Sequence, residues 1–355
     1  MCGIVGAISD KNVIPTLLDG LQRLEYRGYD SAGLAIREAS GELKRFRSLG
    51  KVSVLKDLIE RSAVHGTQGI AHTRWGTHGK PAERNAHPHM SGVRVAVVHN
   101  GIIENHNKLR DQLLAAGFSF TSETDTEVVA HLLAHKLEAG LSLLQAVQEV
   151  RREITGAYAL AAASPESPDC IIVTREGSPL VIGVGEGENF IASDVAALLQ
   201  VTQRFIFMEE GDIAEIRRDG ITIHDASGSE VQRQVQESRL SACSADKGAY
   251  RHYMLKEIHE QPGVIAETLE GRIHNGRLME ESFGHDIEAL LDQTRQVQIV
   301  ACGTSYHAGL VAKYWLEEIG IPCQVEVASE FRYRNTLVAE GHLFVSISQS
   351  GETAD

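Results

Sequence analysis

The second residue of the chain, Cys2, combines two groups that could do chemistry together. It follows Met1 directly, and a residue as small as cysteine favours removal of the initiating methionine. The exposed residue would then carry a thiol, the best side-chain nucleophile near neutral pH, and a free α-amine with the basicity that a general base needs. The apolar run GIVGAIS predicts a strand that holds this amine in place. The alternative is a cysteine that lies by chance in a buried strand.

Three further positions could bind or polarise a substrate. The pair Asn100-Gly101 could turn an amide and a backbone N–H to one side as an oxyanion hole, although Asn-Gly between apolar stretches is also the strongest short-range hairpin signal. Arg74 could bind a carboxylate bidentately or form a surface salt bridge. Asp125 could meet an ammonium group or simply stabilise a helix start, because Thr124 and Glu127 have the spacing of a capping box.

Seven histidines fall between His65 and His106, and His87 is separated from His89 by one residue. Such a cluster is the basis for an alternative class, a metal-dependent hydrolase. The spacing argues against this class, because there is no HExxH motif and no acidic ligand set at helical spacing. The metal-dependent class is therefore disfavoured.

The elements that must position these residues form two successive patterns. Short strand patterns such as CGIVGAIS precede helical patterns at 104–116, 127–138 and 142–154, and strand patterns return from Gly156. Strands, helices and strands again favour an α+β sandwich of two sheets covered by helices (αββα). Beyond a polar, Ser-rich stretch (225–247) that is typical of a linker, two helical segments lead into strand, loop, helix and strand, which predicts a parallel α/β sheet.

The boundary between the two predicted domains is placed between residues 240 and 241. Residues 2–240 are expected to form the sandwich. Residues 241–355 are expected to form a linker and the first part of a doubly wound α/β domain, which looks incomplete because the chain stops where the next helix should begin. The second domain carries no GxxxxGK[ST] motif, so a nucleotide P-loop is not supported.

Composition narrows the class of protein. With 355 residues, 43% of them apolar, the chain is predicted to be globular with about two domains. The formal net charge of −14, without a local basic stripe, argues against nucleic acid and anionic membranes as partners. Five widely spaced cysteines with no CxxC pair favour a reducing cytoplasm. No apolar run approaches the roughly 20 residues of a membrane span, and the opening segment lacks the basic leader of a signal peptide.

Six motifs in order resemble class II glutamine amidotransferases, which are N-terminal-nucleophile hydrolases: MCGIVG, LEYRGYDSAG, HTRWGTHG, NAHPH, HNGIIEN and SETDTE. The match covers about the first 240 residues, and the YRGYDSAG form is similar to the glutamine–fructose-6-phosphate aminotransferase branch. The resemblance implies that Cys2 is the nucleophile and that Asn100 and Gly101 form the oxyanion hole. It places glutamine binding on Arg74, Thr77, His78, His87 and Asp125, and it makes Trp75 a gate on an ammonia path. It also implies that neither a metal ion nor an organic cofactor is needed.

Within that pattern Arg74 pairs with the α-carboxylate of glutamine and Asp125 with its α-amino group. The roles of Arg27 and Asp30 are open, since a structural ion pair explains them as well as a place beside the nucleophile.

The stretch from about Gly248 to Asp355 resembles a sugar-isomerase (SIS) domain. Its segments ACGTS and ISQSGET each follow an apolar strand, and their small and hydroxyl residues suit an anion. The resemblance implies that the phosphate of fructose 6-phosphate binds at Ser348, Gln349, Ser350 and Thr353, with Thr304 and Ser305 also at the sugar. Because the catalytic lysine, glutamate and histidine of the family would lie later, the 355-residue chain is not expected to complete sugar isomerisation.

The sequence therefore predicts an enzyme that hydrolyses L-glutamine at Cys2 to glutamate and ammonia. In its complete form this enzyme uses the ammonia to aminate fructose 6-phosphate to glucosamine 6-phosphate, and the resemblance implies a homodimer in the cytoplasm. Two alternatives remain open: an amidotransferase of the same class with another acceptor, and a non-catalytic module that senses sugar phosphates.

Overall fold

The structure is a computed structural model that describes residues 2–25, 28–75, 80–238, 250, 252–269, 272–274, 277–278, 287–337 and 340–348. The chain divides into two compact units, Met1–Ser282 and Phe283–Asp355. The predicted boundary at residues 240 and 241 falls outside the described residues and stays a prediction.

The first unit is built mainly from short strands. They are β1 (Gly3–Ile8), β2 (Ser31–Arg37), β3 (Leu43–Leu49), β4 (Gln68–Arg74), β5 (His89–Ser91), β6 (Val95–Ile103), β7 (Gly156–Ala163), β8 (Ile171–Glu176), β9 (Val181–Val184), β10 (Asn189–Ala192), β11 (Arg204–Phe207), β12 (Ile213–Ile216), β13 (Ile221–His224), β14 (Glu230–Val231), β15 (Val235–Glu237), β16 (Ile273–His274) and β17 (Arg277–Leu278). The helices are α1 (Ile14–Arg23), α2 (Val52–Ser62), α3 (His106–Ala115), α4 (Thr126–Glu138), α5 (Leu143–Glu153) and α6 (Tyr253–Leu269).

Two antiparallel sheets form the body of this unit. The larger has the strand order β15-β11-β9-β10-β1-β4-β2-β3, and the smaller has the order β14-β13-β12-β8-β7-β6-β5. The strand that follows Cys2, β1, therefore lies inside the larger sheet between β10 and β4, with Gly3 opposite Thr73. The strand that carries Asn100, β6, lies between β5 and β7 of the smaller sheet.

Alternating side chains explain why the two sheets stack. In β1, Ile4 and Ile8 belong to the core between the sheets, whereas Val5 packs with the apolar side chains of α1 and α2. In β6, Val98 belongs to the core between the sheets and Val97 packs with α3, α4 and α5. Successive side chains of a strand point to opposite faces of its sheet. In both sheets, one face therefore packs against the other sheet and the opposite face packs against helices. The predicted αββα sandwich is confirmed.

Some elements differ from the sequence interpretation. The predicted linker at 225–247 is partly wrong, because β14 and β15 lie within it as edge strands of the two sheets. Strand β4 escaped prediction altogether. Its sequence, QGIAHTR, buries Gln68, His72, Thr73 and Arg74, so it shows neither an apolar run nor clean alternation.

The second unit shows the predicted parallel arrangement. Its elements are α7 (Ile287–Gln293), β18 (Gln296–Ala301), α8 (Gly303–Glu318), β19 (Cys323–Val327), α9 (Ala328–Arg332) and β20 (His342–Ile347). The strand order is β19-β18-β20, with both pairs parallel and α8 between β18 and β19 in sequence. In the described part of either unit, no helix is long and apolar enough to cross a membrane.

Candidate active site

Cys2 stands directly before β1, where strand pairing on both sides fixes the backbone. Its Sγ contacts the backbone of Trp75, the residue that follows β4. The Trp75 N–H donates to Sγ at 3.2 Å, and Sγ lies 3.4 Å from the Trp75 carbonyl oxygen. The thiol is therefore held at the end of two neighbouring strands.

The surroundings of this thiol favour its protonated form. Burial raises the pKa of the Cys2 thiol above its usual value, while the Trp75 N–H and the positive charge of Arg74 lower it in part. A thiol with a raised pKa carries its proton at neutral pH. A reaction at this sulfur would therefore need a base to take the thiol proton.

Arg74 ends β4 and is paired through its backbone with Ser31 of β2. Its Nη1 lies 3.3 Å from both carboxylate oxygens of Asp30, which also accepts the Ser31 hydroxyl at 2.7 Å. Because Arg74 is only 3% exposed, a surface salt bridge is the wrong description of this pair. Asp30 is thus a partner of a buried guanidinium, and Arg27 lies outside the described residues.

Asp125 comes from the other sheet layer, as the N-cap residue of α4. It is 4% exposed, and its Oδ2 accepts the N–H of Ile103, the last residue of β6, at 2.8 Å. A hydrogen bond from a backbone N–H stabilises the ionised carboxylate. The start of α4 and the end of β6 therefore fix this negative charge together.

The capping box predicted for Thr124 and Glu127 does not form, although the helix begins where the pattern indicated. The Glu127 carboxylate turns back to accept the N–H groups of Thr121 and Ser122, at 2.9 and 2.7 Å. The Thr124 hydroxyl lies 3.0 Å from Nε2 of His89. The prediction was wrong because the Glu127 carboxylate binds the loop before the helix and does not bond back to the backbone N–H of the N-cap residue.

Asn100 and Gly101 lie inside β6, so the alternative of a hairpin turn at this pair is wrong. Gly101 has a φ of 116°, and a Cβ at this position would lie 2.0 Å from the carbonyl oxygen of Ala157. Only glycine fits such a backbone. The Asn100 side chain donates from Nδ2 to the carbonyl oxygen of Cys2 at 3.3 Å, which joins the two sheets beside Cys2.

One pocket that is open to solvent is lined by most of the predicted residues of this unit. Its lining includes Cys2, Arg74, Trp75, His87, Gly101 and Asp125. Asn100 is not part of this lining but contacts the backbone of Cys2, and the predicted residues Thr77 and His78 fall outside the described residues. The pocket brings a thiol, a guanidinium and a carboxylate to the same space, so it suits a small ligand with both a negative and a positive group.

Trp75 stands at the exposed side of this pocket, with 49% of its surface exposed. Its ring lies against Gly28, where a Cβ would come within 2.6 Å of the indole. Gly28 also has a φ of 74°, a conformation that favours glycine. Both its backbone conformation and the position of the indole therefore require a residue without a side chain. The gating role that the sequence assigned to Trp75 stays a prediction.

A cluster of four buried histidines, the histidine wall, backs the pocket. His72 and His87 stack with ring centroids 4.1 Å apart, the rings of His87 and His99 are nearly parallel with centroids 6.4 Å apart, and His89 meets His87 edge-on. Burial lowers the pKa of His72 to about 3, and it holds the pKa values of His87 and His89 well below the usual range. These three rings are therefore neutral at physiological pH.

The histidine wall also bears on the alternative of a metal-dependent hydrolase. Among the residues that the structure describes, no group of three or more His, Cys, Asp or Glu side chains is placed to hold a metal ion. Stacked rings present their faces to one another, whereas metal ligands must aim their nitrogens at a common point.

Sequence analysis did not assign several residues of this site. Thr124, Thr126 and His99 line the pocket, and His72 contacts Asn100. Each lies within two residues of an assigned position, inside the motifs HTRWGTHG, HNGIIEN and SETDTE. Their proximity in sequence to assigned residues could have marked them as candidates. Proximity alone, however, does not show whether a side chain points into the pocket.

The described residues among those predicted to bind the sugar phosphate lie at the carboxyl ends of strands in the second unit. Thr304 and Ser305 stand in the first turn of α8, just after β18, and Ser348 follows β20. Because β18 and β20 are parallel neighbours, these residues lie at the carboxyl ends of adjacent strands, the usual place for ligands in such sheets. Gln349, Ser350 and Thr353 fall outside the described residues.

Comparison with known proteins agrees with this architecture. Residues 72–200 match the family model described as "Glutamine amidotransferase domain", and residues 290–355 match the family model described as "SIS domain". A solved structure of glutamine phosphoribosylpyrophosphate amidotransferase from B. subtilis superposes with a TM-score of 0.58 at 22% identity, covering 91% of this chain and 65% of that chain. At this identity the likeness shows the fold alone.

Sequence relatives are much closer. The chain is 59% identical over its full length to the glutamine–fructose-6-phosphate aminotransferase (isomerizing) of Pseudomonas aeruginosa, and 55% identical to that of Escherichia coli strain K12. It spans 58% of the length of each of these curated relatives.

The first unit has the sandwich fold of N-terminal-nucleophile glutamine amidotransferases, and it contains a glutamine amidotransferase domain. Over its full length the chain is similar to glutamine–fructose-6-phosphate aminotransferases, and its residues 290–355 match the SIS domain.

Proposed function

We propose that the first unit hydrolyses the side-chain amide of L-glutamine, with Cys2 as the nucleophile. The observation that carries this proposal is the pocket in which the Cys2 thiol shares one space with Arg74 and Asp125. Arg74 binds the α-carboxylate of glutamine and Asp125 binds its α-ammonium group. With both ends of the amino acid held, the side-chain amide is left to meet the thiol.

The chemistry needs a base, because burial raises the pKa of the thiol. We propose that the α-amine of Cys2, exposed when Met1 is removed, takes the thiol proton as Sγ bonds to the amide carbon. The second hydrogen of the Asn100 amide nitrogen and the Gly101 N–H donate to the oxyanion. The proton then passes to the leaving nitrogen, the C–N bond breaks and ammonia leaves. Water hydrolyses the γ-glutamyl thioester, which releases glutamate and restores the thiol.

We further propose that the complete protein transfers this ammonia to fructose 6-phosphate and forms glucosamine 6-phosphate, as the name of its relatives suggests. Thr304, Ser305 and Ser348, at the carboxyl ends of β18 and β20, are the described residues proposed for the sugar phosphate. Gln349, Ser350 and Thr353 complete this proposal from the sequence. The homodimeric state and the cytoplasmic location stay predictions.

The glutaminase proposal is tested by replacing the nucleophile. Cys2→Ala is expected to abolish release of glutamate and ammonia from glutamine, measured with coupled assays at pH 7. Cys170→Ala, which changes a buried cysteine of the same unit outside the pocket, is expected to keep the wild-type rate. Substantial turnover by Cys2→Ala would refute the assignment.

Two further measurements separate the steps of the proposal. The mass of the mature N-terminal peptide, before and after treatment with a diazoketone analogue of glutamine, reports methionine removal and thiol labelling together. A protein that retains Met1 and still turns over glutamine rapidly would refute the role of the amine. Binding of fructose 6-phosphate without any glutamine hydrolysis would favour a non-catalytic sensing module instead.

A further inference from the structure

We infer that His72 is a positioning residue for the oxyanion hole, because it fixes which end of the Asn100 amide faces the substrate. The inference rests on the proposed glutaminase function. His72 lies on β4, two residues before Arg74, and it is not among the residues that line the pocket. Its ring contacts Asn100 and stacks on His87, and we infer that it affects the reaction through Asn100.

The Asn100 amide has two ends with opposite hydrogen-bonding character, and only one of them can stabilise an oxyanion. Its Oδ1 lies 3.0 Å from Nε2 of His72, and its Nδ2 donates to the carbonyl oxygen of Cys2 at 3.3 Å. An amide oxygen can only accept, so Nε2 of His72 carries the proton. Were the amide rotated by half a turn, Oδ1 would oppose the Cys2 carbonyl oxygen and no donor would remain for the substrate.

His72 is itself held in one orientation. Its backbone pairs with Ile4 of β1 and with Gly33 of β2, and its side chain is completely buried. Its ring stacks on His87 at 4.1 Å with an interplanar angle of 17°. A buried imidazole is costly unless it is hydrogen-bonded, so a residue that served only to fill the core would more simply be apolar.

The support for His72 extends through the histidine wall. His87 Nδ1 accepts the backbone N–H of His99 at 3.3 Å, so in the neutral ring Nε2 carries the proton and points to the Thr126 hydroxyl, also at 3.3 Å. Two hydrogen bonds thus fix the plane of the His87 ring. Because the His72 ring stacks on His87, a fixed His87 also helps to hold the Nε2–H of His72 in place for Asn100.

The test compares two substitutions of similar size. His72→Leu removes the donor, and His72→Gln restores an N–H near the position of Nε2. We expect His72→Leu to lower kcat for glutamine hydrolysis by about ten- to a hundredfold with little change in KM, because a misplaced donor matters mainly in the transition state. We expect His72→Gln to recover most of that loss. His65→Leu, at an exposed histidine, is the matched control and is expected to keep the wild-type kcat.

Two readouts distinguish positioning from general support of the fold. In an Asn100→Ala background, His72→Leu should cost no further activity, since the residue through which it acts is already gone. Alkylation of Cys2 by iodoacetamide forms no oxyanion, so its rate should be the same in the wild type and in His72→Leu. Equal losses in both backgrounds, or a parallel fall in alkylation, would overturn the inference.

The outcomes also separate this inference from the proposed function. If the wild-type protein with its mature N-terminus does not hydrolyse glutamine, the proposed function fails. If the wild type hydrolyses glutamine and His72→Leu keeps the wild-type kcat, the inference alone fails. If His72→Gln is as impaired as His72→Leu, the hydrogen bond is not the cause, which also overturns it.

Discussion

Acidification should destabilise the first unit through its buried histidines. The size of the loss in folding stability can be worked out for His72. An unfolded histidine titrates near pH 6.5, whereas burial lowers the pKa of folded His72 to about 3. Above pH 6.5 neither state binds the proton, so the stability contributed by the neutral ring is fully present. As the pH falls below 6.5, the unfolded chain binds a proton that the folded chain refuses, and stability is lost until the pH reaches the folded pKa.

The loss of stability depends on the difference between the pH of the measurement and the pKa of histidine in the unfolded chain. At pH 5 this difference is about 1.5 units, and each unit is worth about 1.4 kcal/mol, so His72 should account for a loss of about 2 kcal/mol between pH 7 and pH 5. The pKa values of His87 and His89 are shifted in the same direction, so the wild type should lose more than this in total.

The assay is denaturant unfolding at pH 7, 6 and 5, followed by far-UV circular dichroism, for the wild type and for His72→Gln. Because the variant has no group to titrate at this position, its loss between pH 7 and pH 5 should be smaller than that of the wild type by about 2 kcal/mol. The matched control His65→Gln, at an exposed position, should show the wild-type loss. An unchanged pH dependence in His72→Gln would refute the conclusion that the folded protein holds this ring neutral.

Two further substitutions test the geometry around the pocket. Gly101→Ala should lower glutamine turnover by more than about a hundredfold, since its Cβ would lie 2.0 Å from the Ala157 carbonyl oxygen and displace the N–H proposed as an oxyanion donor. In Gly220→Ala the new Cβ would meet no atom within 4 Å, so this control should leave the rate unchanged. Asp30→Asn should raise the KM for glutamine by about tenfold with a smaller effect on kcat, since it loosens the grip on the Arg74 guanidinium. A fall in kcat alone would contradict this reading of Asp30.

The order of motifs in the sequence was sufficient to predict the αββα sandwich and the parallel second unit. Long periodic segments such as Ser142–Ile154 were found with nearly the right ends, and its predicted helix became α5, with a capping box at Ser142 and Gln145. Local patterns work there because the local hydrogen bonds and the tertiary packing favour the same conformation.

Local sequence patterns gave wrong predictions where residues near the site bond to partners that are distant in the sequence. Asn100-Gly101 has the composition of a hairpin turn, but β7 pairs with the strand across it. Thr124 and Glu127 have the spacing of a capping box, but their side chains bond to His89 and to the loop at Thr121. Such partners are distant in sequence or lie outside the motif, so spacing alone could not distinguish the competing structures.

The buried guanidinium of Arg74 lies near three imidazoles that are held neutral. Its positive charge lowers the pKa values of His72, His87 and His89 in addition to their burial. If these three rings were cationic, they would repel Arg74 and compete with it for a carboxylate. Because they are uncharged, they add no positive charge beside Arg74, which faces the same space as Asp125. Under the proposed function, the charges of Arg74 and Asp125 would then orient a bound amino acid, while the neutral rings shape the pocket around it.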